Sequence, residues 1–127
     1  MSDKLHFDLV SPESLLVSLQ VESVVVPGSE GDFGVLPAHS PLVSVIRPGI
    51  LSVMGEGQVT DYFVRGGFAD VTADGLTVLA EHAVALQDFG SEARLAEIET
   101  AKHALEHATS DQERLNAQMV IDVVEAL

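Results

Sequence analysis

The most distinctive segment of the sequence is residues 27–42, PGSEGDFGVLPAHSPL, in which three prolines and three glycines separate short apolar runs. Glycine permits tight or left-handed backbone, and proline stiffens the return of the chain into the next strand. The stretch is not a phosphate-binding loop, because no Gly-Lys-Ser/Thr follows the glycines and it contains no lysine. Taken alone, these residues predict an ordinary loop region between strands.

Short runs on both sides of this stretch alternate apolar and polar residues, which is the pattern of half-buried strands. Upstream, the candidate strands are residues 5–9 and 17–22, the second continuing through Val24, Val25 and Val26. Residues 32–36 form a candidate strand within the stretch, and residues 42–47, 50–54, 58–65, 68–72 and 76–80 follow from its end onward. Turn signals such as Pro48-Gly49 separate these runs. Many short strands without a helix between them favour antiparallel hairpins. We therefore predict an N-terminal antiparallel β-sandwich or flattened barrel over residues 1–88.

The composition changes near residue 90, because all five prolines lie at or before Pro48 and all ten glycines at or before Gly90. Ser91 is predicted to cap a first helix, and the capping-box pattern of residues 110–113, SDQE, to start a second. The predicted apolar faces are Leu95, Ile98, Ala101, Leu105 and Ala108 in the first helix, and Leu115, Met119, Val120, Val123 and Leu127 in the second. The fold class is thus mainly β plus α, with an antiparallel two-helix hairpin over residues 89–127 that either packs on the sandwich or extends.

The charge balance narrows the choice of partners. Twenty acidic residues against six Lys and Arg give a formal net charge of −14, so we expect no nucleic-acid partner, since phosphate binding needs clustered cations. The acids either keep the protein dissolved or attract a basic partner. No run approaches the roughly 18 apolar residues of a membrane span, so we expect no direct membrane insertion.

Two histidine patterns in the sequence have the form of possible metal or catalytic sites. His103 and His107 are four residues apart, a spacing that suits a metal, but they lie opposite the apolar face and no third ligand is evident. A solvated polar face is the favoured interpretation, and no metal site is predicted. His39 and Ser40 are adjacent without a residue to orient the imidazole, so no catalytic residues are predicted and the chain is not expected to be an enzyme.

Residues 28–42, GSEGDFGVLPAHSPL, resemble the signature of the epsilon subunit of bacterial F-type, or rotary, ATP synthases. The segment FDLVSP at residues 7–12, the Arg-Pro-Gly turn at 47–49, the Arg-Gly-Gly turn at 65–67 and the strand LTVLA at 76–80 agree with it. The resemblance covers residues 5–88 nearly without gaps. It implies a non-catalytic central-stalk subunit of a proton-translocating ATP synthase, coupling rotation of the c-subunit ring to ATP synthesis in the catalytic head.

The resemblance also implies partners and contact residues. The sandwich would bind the gamma subunit and the c-ring, with the loop at Glu30, Gly31 and Asp32 facing the ring and His39 lying near gamma. Acids in that loop would pair with basic residues of the ring. The subunit would be peripheral, on the cytoplasmic face of the inner (plasma) membrane, and the catalytic sites would lie in other subunits.

The predicted hairpin departs from the family's pattern. Many members open the first helix with a Leu/Ile-Asp-x-x-Arg-Ala nucleotide motif, of which this chain keeps Arg94, with Ile98 where a basic residue is expected. We therefore expect no ATP binding and no cofactor. The hairpin is the route by which the chain would reach the alpha/beta head, but its second helix is short and acidic, so we expect intrinsic inhibition to be weak or absent. A free-standing β-sandwich adaptor with a self-associating hairpin remains the alternative.

Overall fold

A computed structural model describes residues 4–127 as a strand-rich domain followed by two helices. The strands within this range are β1 Leu5–Val10, β2 Leu15–Val21, β3 Ser23–Gly28, β4 Gly31–Val35, β5 Leu42–Ile46, β6 Gly49–Gly55, β7 Gln58–Val64, β8 Gly67–Val71, β9 Gly75–Ala80 and β10 Ala83–Ala85. A 3₁₀ turn, Leu86–Asp88, leads to helices α1 Ser91–Glu106 and α2 Asp111–Glu125. The predicted fold class is confirmed; residues 1–3 of the predicted β domain lie outside the described part.

The strands form one curled sheet in the order β10-β7-β6-β3-β5-β8-β9-β1-β2, with β4 paired to β3. The pairs are antiparallel as predicted, except that β1 runs parallel to β9, from His6 opposite Gly75 to Val10 opposite Leu79. The parallel strands β1 and β9 need no crossover helix between them, because strands β2 to β8 lead the chain round the sheet from one to the other. Gly75 permits the pairing, since a Cβ there would lie 2.2 Å from the carbonyl oxygen of His6.

One strand prediction was wrong in detail, and one strand was not predicted. The run from residue 17 through Val26 is two strands, because the chain changes partner at Glu22: β2 pairs with β1, whereas β3 pairs with β4 and β6. Glu22 itself is exposed, and its amide donates to the carbonyl oxygen of Met54 at 2.8 Å. Strand β10, paired with β7, was not predicted, because three residues are too few to show an alternation.

The sandwich core is built from the inward side of each alternating strand. Phe7 and Leu9 on β1 are fully buried, as are Val24 and Val26 on β3 and Leu51 on β6. Val17, Phe33, Tyr62 and Ala83 are partly buried against this core. The period-2 pattern of the sequence therefore corresponds to burial in the strands that hold the sandwich together.

The helical hairpin packs on the sandwich and does not extend. Its buried side chains join a second apolar cluster with one strand residue, Phe63; the members are Phe63, Phe89, Ala101, Val120, Ile121 and Val124. The second cluster lies against the outer side of β6 and β7, where Ile50 and Val84 border it. The question left open by the sequence is thereby answered: both helices use their apolar sides to cover the sheet.

The predicted apolar faces are confirmed for Ile98, Ala101, Leu105, Val120 and Val123 and wrong at other positions. Leu95 is 63% exposed, whereas Glu97 is only 8% exposed and takes its place on the buried side. In α2, Leu115 and Leu127 are exposed, and Ala117 and Ile121 are buried where the prediction named neither.

Of the two predicted helix N-caps, one is wrong and one is confirmed. Ser91 is not the N-cap of α1; Gly90 is, in extended conformation and without a side-chain bond, since the helix already includes Ser91. Ser110 caps α2 as predicted, its Oγ accepting from the amide of Glu113 at 3.1 Å. Glu113 reaches back one residue further than a standard capping box, accepting from the amide of Thr109.

Candidate functional site

The turn between β3 and β4 carries the three residues predicted to face a partner. Gly28 pairs with Gly31, so the turn is tight, and Gly31 has a φ of +134° that favours glycine. Glu30 is exposed at its tip. Asp32 already has an internal partner, since Arg47 Nη2 donates to Asp32 Oδ1 and Arg47 Nη1 to the Gly28 carbonyl oxygen, both at 2.6 Å. Glu30 is therefore the carboxylate of this turn that is open to a partner.

The loop of residues 36–41 holds His39 at the other end of β4. Its Nδ1 lies 2.6 Å from the carbonyl oxygen of Ser40, and its amide donates to that of Leu36. Ala38 has a φ of +62°, which is uncommon without glycine, and Leu36 is largely exposed. Strand β4 spans roughly 13 Å at about 3.3 Å per residue. The structure therefore places His39 and the acidic turn at opposite ends of one strand and does not bring them together.

An apolar row, here called the outer stripe, crosses the solvent-facing side of the sheet. Val45 on β5 lies opposite Phe68 on β8, and Phe68 lies opposite Leu79 on β9. Leu79 in turn pairs with Val10 on β1. Val45, Phe68 and Leu79 are each about half exposed. A row of large apolar side chains held in register on a rigid sheet is suited to binding another protein.

Arg94, the one residue that remains of the nucleotide motif, is engaged within the chain. Its Nε donates to the carbonyl oxygen of Phe89 at 2.7 Å, and its Cζ lies 5.7 Å from the centre of the Phe89 ring. Phe89 stacks on Phe63 with ring centres 5.3 Å apart. Arg94 thus holds the linker before α1, and the Phe89 ring connects that linker to the sandwich.

A buried carboxylate joins the hairpin to the sandwich, and the sequence analysis missed it. Glu97 Oε2 accepts from Arg65 Nη1 at 3.1 Å, and Glu97 Oε1 lies 3.7 Å from His82 Nε2. Arg65 follows β7 and His82 follows β9, so one helical side chain links two turns of the sandwich. The sequence contains one indication that Glu97 is buried: it is four residues before Ala101, and this helical spacing puts both on one face.

His103 lies on α1 and His107 immediately follows its last residue, and both side chains are exposed. Their rings stack with centres 4.2 Å apart, and His107 Nδ1 lies 2.9 Å from the carbonyl oxygen of His103. Across residues 4–127, no group of three or more His, Cys, Asp or Glu is arranged to hold a metal ion. In the same part of the chain, no helix is long and apolar enough to span a bilayer.

Two ionisable groups have shifted pKa values. Burial raises the pKa of the Tyr62 phenol above 10.0. Hydrogen bonds from the Thr109 hydroxyl and amide, together with Ser110, lower the pKa of Glu113 below 4.5. Both shifts move the pKa further from neutral pH, upward for Tyr62 and downward for Glu113. Both have structural causes, so neither group marks a proton-transfer site.

Known proteins are similar to this chain in both its strand-rich part and its helical hairpin. Residues 4–86 match the family model for the beta-sandwich domain of the ATP synthase Delta/Epsilon chain. The ATP synthase epsilon chain of Maricaulis maris is 50% identical over 127 residues, covering 100% of this chain and 96% of that protein. That of Rhodospirillum rubrum is 47% identical over 128 residues, with the same coverage.

Two solved structures share the fold. A chain in the cryo-EM structure of the Euglena gracilis mitochondrial ATP synthase, OSCP/F1/c-ring, superposes with a TM-score of 0.74 at 24% identity, over 98% of this chain and 79% of that one. A chain in the central stalk/c-ring structure of the Tetrahymena thermophila mitochondrial ATP synthase gives 0.68 at 12% identity, over 98% and 96%. The similarity includes the strands and the hairpin, since it extends over almost the whole chain.

Proposed function

The chain belongs to the ATP synthase epsilon chain family, and on that premise we propose that it is a non-catalytic subunit of the rotary central stalk. It couples rotation of the c-ring to ATP synthesis in the catalytic head by binding and transmitting torque. The observation that carries the proposal is the 50% identity to an epsilon chain over the whole of this chain and 96% of that protein. Identity of this extent includes the sandwich and the hairpin together.

Two surfaces on the sandwich suit the two partners. The outer stripe, with Phe68 at its centre, offers the apolar contact area that a gamma subunit would bury, and the loop carrying His39 borders the same β5 strand. The β3–β4 turn offers Glu30 to basic groups of the c-ring, while the Arg47 pair with Asp32 keeps the turn rigid. A rigid turn and a rigid sheet face transmit force without local unfolding.

The hairpin supports a weak regulatory role at most. Arg94 is held by Phe89, which argues against its use in ATP binding. Helix α2 has 15 residues and so spans about 22 Å. It carries the acids Asp111, Glu113, Asp122 and Glu125 against Arg114 alone. A short acidic helix has little attraction to an anionic catalytic site in the alpha/beta head, so intrinsic inhibition is weak or absent.

The subunit is peripheral in this proposal, docked on the cytoplasmic face of the inner membrane through the c-ring. The experiment that tests the proposal adds the full-length chain to epsilon-depleted ATP synthase in vesicles and follows proton-driven ATP synthesis and ATP hydrolysis together. Restored synthesis with hydrolysis that responds to the proton gradient is the expected result. No change in either rate on addition of a folded chain contradicts it.

Native mass spectrometry with gamma distinguishes the adaptor alternative. A one-to-one complex with gamma supports the stalk role, and a homodimer indifferent to gamma supports the adaptor. Phe68→Ser tests the assigned surface within this assay, with Leu95→Ser as the matched control, since Leu95 is also an exposed apolar residue but lies on α1. The first substitution should weaken the gamma complex and the second should not.

A further inference from the structure

A groove of about 330 Å³ lies between helix α2 and the outer side of the sheet. Leu115 and Met119 line it from the helix, and Val45 and Phe68 line it from β5 and β8. The amide side chains of α2, among them Asn116, border it. The groove is therefore made by two parts of the chain and exists only while the hairpin is packed on the sandwich.

The groove continues the outer stripe. Phe68 and Leu79 also line a neighbouring depression with Val10 and Pro12, so one apolar surface runs from α2 across four strands. Leu115 is about half exposed, as are Phe68 and Leu79. Leu115 does not contribute to the described apolar clusters that hold the hairpin in place. Its position beside the stripe suits an intermolecular contact.

The charges around the groove favour a basic partner. The groove contains two arginines, but Arg47 is paired with Asp32 and Arg65 with Glu97. Glu81 lines the same groove, is exposed, and has no ion pair among residues 4–127. The open charge at this site is thus negative, as is that of the whole chain at −14. A lysine or arginine of a partner placed at Glu81 would complement it.

We propose that the gamma-binding surface is composite: α2 supplies Leu115 to the outer stripe, and gamma inserts apolar side chains into the groove with a cationic residue at Glu81. This inference rests on the proposed function for the identity of the partner. Because the groove requires the packed hairpin, gamma binding and hairpin packing stabilise each other. Linkage makes the coupling reciprocal: the factor by which hairpin packing raises the affinity for gamma equals the factor by which bound gamma favours the packed hairpin.

The test measures the dissociation constant of the purified full-length chain with its gamma subunit by calorimetry, for wild type and three variants. Leu115→Ala should weaken binding about fivefold, because it removes apolar area at the interface. Phe68→Ala should weaken it more, and Leu95→Ala should not change it. Hydrogen exchange of the α2 amides should slow in the gamma complex. Leu115 and Leu95 are both exposed helical leucines, so circular dichroism should show both variants folded.

The outcomes separate the two claims. A wild-type complex that Phe68→Ala weakens and Leu115→Ala leaves unchanged overturns the composite surface and retains the proposed function. Unchanged exchange of α2 on gamma binding also overturns the coupling. If wild type forms no complex with gamma, the inference and the proposed function fail together. Glu81→Gln adds a charge readout: it should slow association at low salt, and an unaltered rate counts against the cationic contact.

Discussion

The sandwich and the hairpin are held by different means. Phe7, Leu9 and Val26 in the sandwich are 0% exposed, whereas Val120, Ile121 and Val124 in the hairpin retain 3–6%. The sandwich core is self-contained, but the hairpin cluster depends on Phe63, which belongs to a strand. The difference shows that the sheet provides the platform and that the helices are attached to one of its faces.

The contact between the hairpin and the sandwich also includes a buried charged residue, whereas the described sandwich core is apolar. Glu97 is the one charged residue that is buried in the described part of the chain. A small apolar cluster and one ion pair are less cooperative than a closed strand network, so the hairpin should open while the sandwich stays folded. Substitutions in the two regions should therefore differ in which part of the chain they unfold.

Phe7→Ala should unfold the whole chain most readily. It removes a fully buried ring from the sandwich core and should cost about 3–5 kcal/mol of the free energy of unfolding. The urea midpoint, followed by circular dichroism, should fall for strand and helix signals together. Loss of the helix signal alone would show that the hairpin, not the sandwich, controls stability.

Ile121→Ala should open the hairpin and spare the sandwich. The side chain is nearly buried at the helix–sheet contact, and its truncation should cost about 2–3 kcal/mol locally. Hydrogen exchange should quicken in α1 and α2 but not in β1 or β9. Leu95→Ala is the control, since its side chain is exposed; equal acceleration of the strands would contradict separate opening.

Glu97→Gln should weaken the hairpin contact less than the apolar truncation does. Arg65 loses its charged partner, but its side chain is 37% exposed and can be solvated, so the cost should be about 1–2 kcal/mol. The effect should appear as faster exchange in α1. Glu99→Gln, exposed on the same helix, should change nothing; an equal effect there would remove the special role of the Arg65 pair.

Glu113→Gln should have the smallest effect, and that effect should depend on pH. The pKa of Glu113 is lowered by hydrogen bonds from Thr109 and Ser110, so the ionised form stabilises the fold. Its contribution is full above pH 4.5 and is lost as pH falls through the lower folded pKa. The variant should melt below wild type at pH 7 and together with it near pH 2. A difference in melting temperature that widens on acidification would contradict the stabilising role of ionised Glu113.

Most of the sheet could be predicted because alternation reports burial directly. The parallel contact of β1 with β9 could not, since pairing between distant strands leaves no local pattern. Leu95 was wrongly assigned to the buried face for a geometric reason: at about 100° per residue, Leu95 points about 120° away from the buried Ala101, whereas Glu97 points only about 40° away from it. In a helix rich in Ala and Glu, three large apolar residues, Leu95, Ile98 and Leu105, are too few to define the buried face.

The candidate surfaces were predictable only in part. The turn with Glu30 and the loop with His39 were found from the motif, but the internal pairing of Asp32 with Arg47 depends on two strands meeting in space. The outer stripe was not found, because outward apolar residues such as Phe68 interrupt the alternation that marks a strand. Glu97 and Arg65 lie 32 residues apart, and nothing in the local sequence links them.

The parallel pairing of β1 with β9 sets the order in which the protein can be assembled. During translation, β1 can pair early with β2, but its other edge waits for a strand that leaves the ribosome roughly 70 residues later. The sheet therefore closes late, and contacts of such long sequence separation slow folding. A nascent chain halted before residue 75 would expose an unpaired edge beside Phe7 and Leu9. That edge is where aggregation of incomplete chains should begin.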